Sequence, residues 1–313
     1  MKAPYYESRF IRANHPDRPQ ALWLRETVLL TSAGAESADV WVMVFDPDGG
    51  GNHALKQPYP IEDCSFVADP WTVRIGDTFL DDSCARGSVG GPRAASWDLR
   101  ITAGGEAVKL LPERQYATRF PSAKTSVRWP LARFDGHLVI DDFRLEMDGW
   151  TGSINHNWGR RHTPAYAFGQ VCGFDTAPSS SLEIVTARAG VGPLTLPPMT
   201  LLVFRHDDRE FAVRTVLAAR RTSGSYQPFQ WSFSARFDDS ALQGEISCAR
   251  TDVIGLNYTD TNGKAKYCYN SAVATCRIEF FSSEFGSSSL TATRRAMFEI
   301  LTDIRRDNVP LLA

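Results

Sequence analysis

Hydrophobic and polar residues alternate with a period of two along much of the chain, which is the pattern of half-buried β-strands. In the segment 229–237, Phe229, Trp231 and Phe233 fall on one face, and polar residues lie between them. Turns rich in glycine, asparagine and aspartate separate such segments, so we expect an all-β protein of barrels or sandwiches. Further strands are predicted at 22–30, 39–46, 143–148, 182–188, 199–205, 211–219 and 272–280.

The segment 290–306 follows a helical period instead. Thr293, Met297 and Ile300 fall on one stripe, whereas the charged residues point away from it. Pro310 lies just beyond the segment and is a typical stop signal. We therefore expect a C-terminal helix.

The chain has 313 residues, which is longer than a typical single domain. Two loops rich in proline, glycine and serine, at 177–181 and 190–193, follow the region around Trp158. We therefore predict an N-terminal domain of residues 1–170 and a C-terminal domain of residues 171–313. Each is long enough for one eight-stranded barrel with a terminal helix in the second.

The formal net charge of −2 comes without any basic cluster, so neither nucleic acid nor an anionic membrane is expected as a partner. No run reaches the roughly 18 apolar residues of a membrane span, and the first residues lack a signal-peptide pattern. We expect a cytoplasmic protein whose six cysteines are free thiols. No metal is expected, because His156 and His162 have no nearby cysteine or acidic partner in the sequence.

Most residues that carry chemistry fall in the stretch 152–170, GSINHNWGRRHTPAYAFGQ. Its amides, histidines and aromatic rings suit a pocket for an apolar molecule, although a buried structural corner with Trp158 in the core is the alternative. His156 is the candidate acid, base or hydrogen-bond donor, because apolar and amide neighbours can shift its pKa. A buried histidine that is hydrogen-bonded to the backbone is the competing interpretation.

Two further polar insertions interrupt apolar strands. Arg25 and Glu26 follow Leu22–Leu24, either at a barrel rim or facing an interior where a charge needs a partner. The segment 267–271, which includes Asn270, either lines the same pocket or closes one end of a barrel.

The motif His156-Asn157-Trp158-Gly159, followed by Pro164, Tyr166 and Phe168, resembles the central signature of hydroxyneurosporene synthase (carotenoid 1,2-hydratase) and AttH-type proteins. Tocopherol cyclase and the lipocalin-like Diels–Alderases carry similar segments. The resemblance extends to the first strands and covers most of the chain. It implies two lipocalin-like (calycin) antiparallel β-barrels with an apolar cavity in or between them. It also implies cofactor-independent cyclisation, cycloaddition or hydration of a polyene, terpenoid or polyketide-like substrate.

Within this resemblance, His156, Asn155 and Glu26 are the candidate catalytic residues. Many hydratases and tocopherol cyclases of this group have an acidic residue at the position of Asn155, and a neutral amide cannot protonate an alkene. Asn155 and His156 would then hydrogen-bond a carbonyl, or Glu26, Asp141 or Asp142 would supply the acid. If His156 is the acid or base, a His156→Ala substitution lowers turnover about 100-fold or more.

The predicted partner is a hydrophobic small-molecule substrate or ligand. A non-catalytic lipocalin-type binding protein for such a ligand remains the alternative function, because the fold alone does not decide between them. The predicted substrate-binding residues are Trp23, Trp41, Trp97, Trp158, Tyr166, Phe168, Gln170 and Asn270.

Overall fold

The computed structural model describes residues 2–188, 190–191, 194–195, 197–284 and 286–313. Almost all regular structure in these residues is antiparallel β-strand, which confirms the predicted all-β class. The strands are β1 (Tyr5–Asn14), β2 (Ala21–Leu30), β3 (Glu36–Phe45), β4 (His53–Tyr59), β5 (Cys64–Val67), β6 (Thr72–Ile75), β7 (Thr78–Leu80), β8 (Cys84–Val89), β9 (Ala95–Thr102), β10 (Val108–Lys109), β11 (Ala123–Ile140), β12 (Phe143–Gly159), β13 (Ala165–Cys172), β14 (Ser181–Arg188), β15 (Gly190–Val191), β16 (Leu194–Thr195), β17 (Met199–His206), β18 (Arg209–Val213), β19 (Thr222–Gln227), β20 (Gln230–Arg236), β21 (Ser240–Ser247), β22 (Ile254–Thr259), β23 (Ala265–Ser282) and β24 (Gly286–Thr302).

The helical segments are short. They are the α-helical turn α1 (Glu113–Tyr116) and the 3-10 turns Ile61–Asp63, Ala218–Arg221 and Arg250–Asp252. No helix among the described residues is long and apolar enough to span a membrane. All six cysteines are free thiols.

Strands β1–β12 form one sheet in the order β4-β3-β2-β1-β12-β11-β9-β8-β7-β6-β5, and β10 pairs with β11. A second sheet has the order β18-β17-β14-β13-β24-β23-β21-β20-β19, and β22 pairs with β23. Each sheet curls into a nearly closed barrel around its own hydrophobic core. The chain changes sheet between Gly159 and Ala165, a few residues before the boundary predicted after residue 170. The division into two domains stays a prediction.

The predicted C-terminal helix is wrong, because this segment forms β24, which pairs with β13 and β23 in the second barrel. A register shift between β23 and β24 places Ala292 and Ala296 at successive core-facing positions, four residues apart. That spacing imitates a helical repeat. Beyond the shift, residues 296–301 are buried on both faces, so the alternation that indicates a strand is lost.

A second correction concerns the predicted strand 211–219. The strand β18 ends at Val213, and residues 218–221 form a 3-10 turn instead. The other predicted strands are present, but those at 143–148 and 272–280 are parts of the much longer strands β12 and β23.

The two barrels pack against each other through strands whose opposite face lines a barrel core. Along β1, Ile11 and Ala13 face the first core, whereas Phe10 faces the second barrel. Phe10 and Trp23 from the first barrel share one hydrophobic cluster with Leu256, Met297 and others from the second. Strand alternation therefore builds a third, mixed layer between the barrels, and the candidate site lies there.

Candidate active site

A cavity of about 230 Å³ lies between the two barrels, and both barrels contribute to its wall. Most of the lining is apolar, as is usual for small-molecule sites. The apolar side chains that line it include Tyr6, Phe10 and Trp23 from the first barrel and Tyr166, Phe168, Val185, Leu201 and Met297 from the second. The segment between β10 and β11, including Phe120 and Pro121, completes the wall.

A buried guanidinium group lies in this wall. Arg25 Nε donates a hydrogen bond to Ser8 Oγ at 2.6 Å, and Nη1 donates to the Tyr258 hydroxyl. The Arg25 guanidinium also lies 4.8 Å from the centre of the Tyr258 ring, within cation–π range. Burial opposes the charge, but Tyr258 and Glu299 outweigh it and raise the pKa of Arg25, so Arg25 is a cation.

Glu299 contributes the acidic group of the cavity wall, from the cavity-facing side of β24. Its carboxyl group accepts a hydrogen bond from the Tyr166 hydroxyl. Burial raises the pKa of Glu299 above its usual value, although the nearby Arg25 acts in the opposite direction. Glu299 therefore keeps its proton to a higher pH than an exposed carboxyl group, which suits a proton donor.

A histidine–carboxylate pair borders the same cavity. His162 lies in the link between β12 and β13, and its Nδ1 is 2.8 Å from Asp260 Oδ1. Burial raises the pKa of Asp260, but hydrogen bonds from His162 and Thr261 outweigh this effect and lower it to about 2. Burial in turn lowers the pKa of His162. The ionised Asp260 therefore fixes a neutral imidazole with its proton on Nδ1.

The second ring nitrogen of His162 is available for chemistry. Nε2 has no hydrogen-bond partner in the part of the chain that the structure describes, and His162 lines the cavity. The ring stacks on Tyr6 with its centroid 3.8 Å from that of Tyr6, which fixes its plane. A neutral imidazole held in this way can accept a proton from a water molecule in the cavity.

His156 lies elsewhere. It lies on the same face of β12 as Trp158 and as Ile154, a core residue of the first barrel. His156 therefore faces the interior of that barrel. Its Nε2 is 2.9 Å from Glu7 Oε1, and its ring stacks on Trp158 with 4.2 Å between centroids. Neither His156 nor Trp158 belongs to the described lining of the cavity.

Glu26 shares this inward orientation with Leu24 on β2. Its side chain is 1% exposed, and Oε2 has no partner among the described residues. Burial raises the pKa of Glu26 to about 8. Glu26 is therefore a neutral acid below that pH, enclosed in the first barrel and not part of the described cavity wall.

Asn155 and Gln170 meet between the barrels, in a hydrogen-bonded cluster behind the cavity. Gln170 Nε2 donates to Asn155 Oδ1 at 2.8 Å and to Glu183 Oε1 at 2.5 Å. Ser153 Oγ accepts from Asn155 at 2.8 Å and donates to Gln170 Oε1 at 2.7 Å. These two amides therefore connect the two barrels, and their hydrogen-bonding groups are used within the cluster.

Of the predicted binding residues, Trp23, Tyr166 and Phe168 lie in the cavity wall. Trp41 packs edge-on against Tyr258, 5.3 Å between centroids, one layer behind the wall. Trp97 belongs to the core of the first barrel, and Asn270 pairs with Glu299 across β23 and β24. The predicted catalytic and substrate-binding roles stay predictions.

Sequence reasoning did not select Tyr258, Asp260 or Glu299, and it gave His162 and Arg25 no role in the site. Glu299 was hidden by the helical interpretation of β24, since a strand would have placed it on the same face as Met297. Asp260 is 98 residues from His162, and no local pattern connects them. Among the described residues, no group of three or more His, Cys, Asp or Glu side chains could hold a metal ion.

The fold and cavity define the class: a protein of two lipocalin-like β-barrels with an apolar site between them. The chain matches no protein-family model. An uncharacterized protein of Mycobacterium tuberculosis, known from strains H37Rv and CDC 1551, is 24% identical over 263 residues, 82% of this chain and 76% of the relative.

Two solved structures share the fold. A protein of Nitrosomonas europaea assigned as AttH superimposes with a TM-score of 0.57 at 10% identity, covering 96% of this chain and 92% of its own. Kievitone hydratase from Nectria haematococca gives a TM-score of 0.55 at 10% identity, covering 95% and 88%. These likenesses confirm the lipocalin-like architecture that the resemblance implied, and they extend to the fold alone.

Proposed function

We propose that the protein is a cofactor-independent enzyme of the hydratase type, which adds water to a carbon–carbon double bond of a hydrophobic substrate. The observation that carries this proposal is Glu299, a buried carboxyl group with a raised pKa in the wall of an apolar cavity. The shared fold with kievitone hydratase supports it. A polyene, a terpenoid or a polyketide-like molecule with an isolated alkene fits the apolar wall.

The substrate binds by burying its hydrocarbon part against Trp23, Phe168 and Met297. The wall holds a flexible chain in one conformation and keeps bulk water away from the reacting carbon atoms. The double bond then lies against the Glu299 carboxyl group, which keeps its proton because the surroundings disfavour the carboxylate.

The reaction needs one acid and one base. The Glu299 carboxyl group transfers its proton to one alkene carbon, which leaves a carbocation at the more substituted carbon. A water molecule forms the new C–O bond there and gives one proton to Nε2 of His162. His162 then releases this proton to solvent and Glu299 takes one up, which restores both groups. The net change is addition of H and OH, and Asp260 stabilises the imidazolium by its charge.

The test is incubation of the purified protein with candidate polyenes and prenylated compounds, followed by mass spectrometry. A product heavier by one water, labelled when the reaction is run in oxygen-18 water, supports hydration. An isomer of unchanged mass would instead indicate a cyclase. Tight binding with complete recovery of the ligand would overturn the enzymatic proposal and support the binding-protein alternative. A Glu299→Gln variant that folds normally serves as the inactive control.

A further inference from the structure

The charge of Arg25 is not paired in a salt bridge among the described residues, although the nearby Glu299 acts on it through space. Its contacts are the neutral hydroxyl groups of Ser8 and Tyr258, and it forms no salt bridge with any carboxylate among the described residues. A buried charge is costly unless it is paired. Arg25 is nevertheless buried, with only 8% of its surface exposed, and it is part of the cavity wall.

The hydrogen-bonding capacity of the Arg25 guanidinium group is only partly used. Nε and Nη1 each donate a hydrogen bond, whereas Nη2 has no partner within the described chain. Nη2 is also not among the described polar atoms that are fully buried without a partner. The aromatic rings of Phe10 and Trp23 lie 5.9 and 5.7 Å from the guanidinium carbon and prevent it from swinging away. Arg25 thus presents fixed N–H donors to whatever occupies the cavity.

The described cavity lining contains two further cations. Lys124 also lines the cavity, is buried, and its Nζ donates to the Pro121 carbonyl without a carboxylate partner in the described chain. Arg214 is a third cation of the lining, paired with Glu210 at 2.6 Å. Glu299 is the single acidic side chain among the described lining residues. Two of the three cations in the described lining, Arg25 and Lys124, therefore lack a salt bridge.

From this arrangement we infer that the hydrophobic substrate carries an anionic oxygen group, a carboxylate, which binds to Arg25 and completes its hydrogen bonding. The inference rests on the proposed function and names the class of its substrate, an amphipathic acid. Arg25 acts here as a binding and specificity-determining residue. It anchors one end of the molecule while the hydrocarbon part extends along the apolar wall.

The anionic group and the proposed acid are compatible. When a carboxylate neutralises Arg25, the cation no longer lowers the pKa of Glu299, so the proton on Glu299 is held more firmly. Substrate binding therefore prepares the proton donor, whereas an uncharged substrate leaves the Arg25 charge uncompensated beside it.

The experiment measures binding by isothermal titration calorimetry with two probes of equal chain length, decanoic acid and 1-decanol, at neutral pH. The wild-type protein is expected to bind the acid about tenfold or more tightly than the alcohol, because hydrogen bonds to charged groups are strong. Arg25→Met is expected to remove this preference by weakening the acid, with the affinity for decanol kept within about threefold.

The matched control is Arg214→Met, which removes another cavity-lining cation whose charge already has a partner. It is expected to leave the acid-to-alcohol ratio within about twofold. Arg25→Lys keeps the charge without the fork and is expected to retain part of the preference, which covers a folding failure of Arg25→Met. Equal affinities for the two probes in the wild type, no binding of the acid, or an unchanged ratio in folded Arg25→Met or Arg25→Lys would overturn the inference. None of these outcomes depends on turnover, so failure of the hydration proposal is distinguishable.

Discussion

The interior of the first barrel and the cavity between the barrels contain nearly the same set of polar groups. Each has a histidine paired with a carboxylate, an acid with a raised pKa, and an arginine over aromatic rings. In the barrel these are His156 with Glu7, Glu26 and Arg9. At the cavity they are His162 with Asp260, Glu299 and Arg25.

The two sets differ in how their hydrogen-bonding capacity is used. Arg9 donates to Glu7 and to the carbonyls of Val67 and Thr72, so each of its guanidinium nitrogens has a partner within the protein. Arg25 keeps Nη2 open, as His162 keeps Nε2 open. Chemical type therefore does not distinguish the groups inside the first barrel from those at the cavity that we propose to be functional. The separation comes from whether an unfilled donor or acceptor faces a space that a ligand can enter.

The largest expected effect concerns the two acids. Glu299→Gln is expected to lower the rate of alkene hydration about 10³-fold, because glutamine keeps the shape but supplies no acidic proton. Glu26→Gln, measured in the same assay by product mass, is expected to stay within about twofold. The opposite result would indicate that the proton donor is Glu26, inside the first barrel, as the sequence-based prediction has it.

The two histidines give the next contrast. His162→Ala is expected to lower turnover about 100-fold, because the water then has no base at the cavity. His156→Ala is expected to change turnover less than about threefold, in contrast to its expected effect as the acid or base. Steady-state kinetics on variants with normal circular dichroism decide between them, and loss of activity on removing His156 alone would contradict the assignment made from geometry.

A smaller effect is expected on stability, through Glu26. Its pKa is about 8 in the folded protein and 4.5 for an ordinary glutamate, so between these pH values the unfolded state loses a proton that the folded state keeps. The contribution of Glu26 to wild-type stability therefore falls with rising pH, and the advantage of Glu26→Gln grows by about 1.4 kcal/mol per pH unit.

Urea unfolding at pH 5, 6 and 7 measures this advantage. Glu36→Gln, at an exposed strand position, is the control and is expected to show no such trend. An advantage of Glu26→Gln that does not change with pH would show that the buried carboxyl group does not hold its proton on folding.

Much of the fold could be predicted from sequence, because alternation is a local property that survives wherever one strand face is solvated. It failed at β24, where burial on both faces and a register shift near Arg294 removed the alternation. Three of the predicted binding residues, Trp23, Tyr166 and Phe168, lie in the cavity wall, and all three lie in or near recognisable motifs, but their binding role stays a prediction. The pairs His162–Asp260 and Arg25–Tyr258 were beyond prediction, since long-range packing alone brings them together.

The cavity has two kinds of wall, and they differ in how freely they can change. Strands such as β1 and β24 present one face to the cavity and the other to a barrel core, so a larger or smaller side chain there disturbs the fold itself. The segment between β10 and β11 is buried at its start, where Leu110 packs with Val127 and Val203, but its Phe120 is half-exposed. Divergence in ligand preference is therefore expected to concentrate in that segment, while the strand wall stays nearly constant in shape.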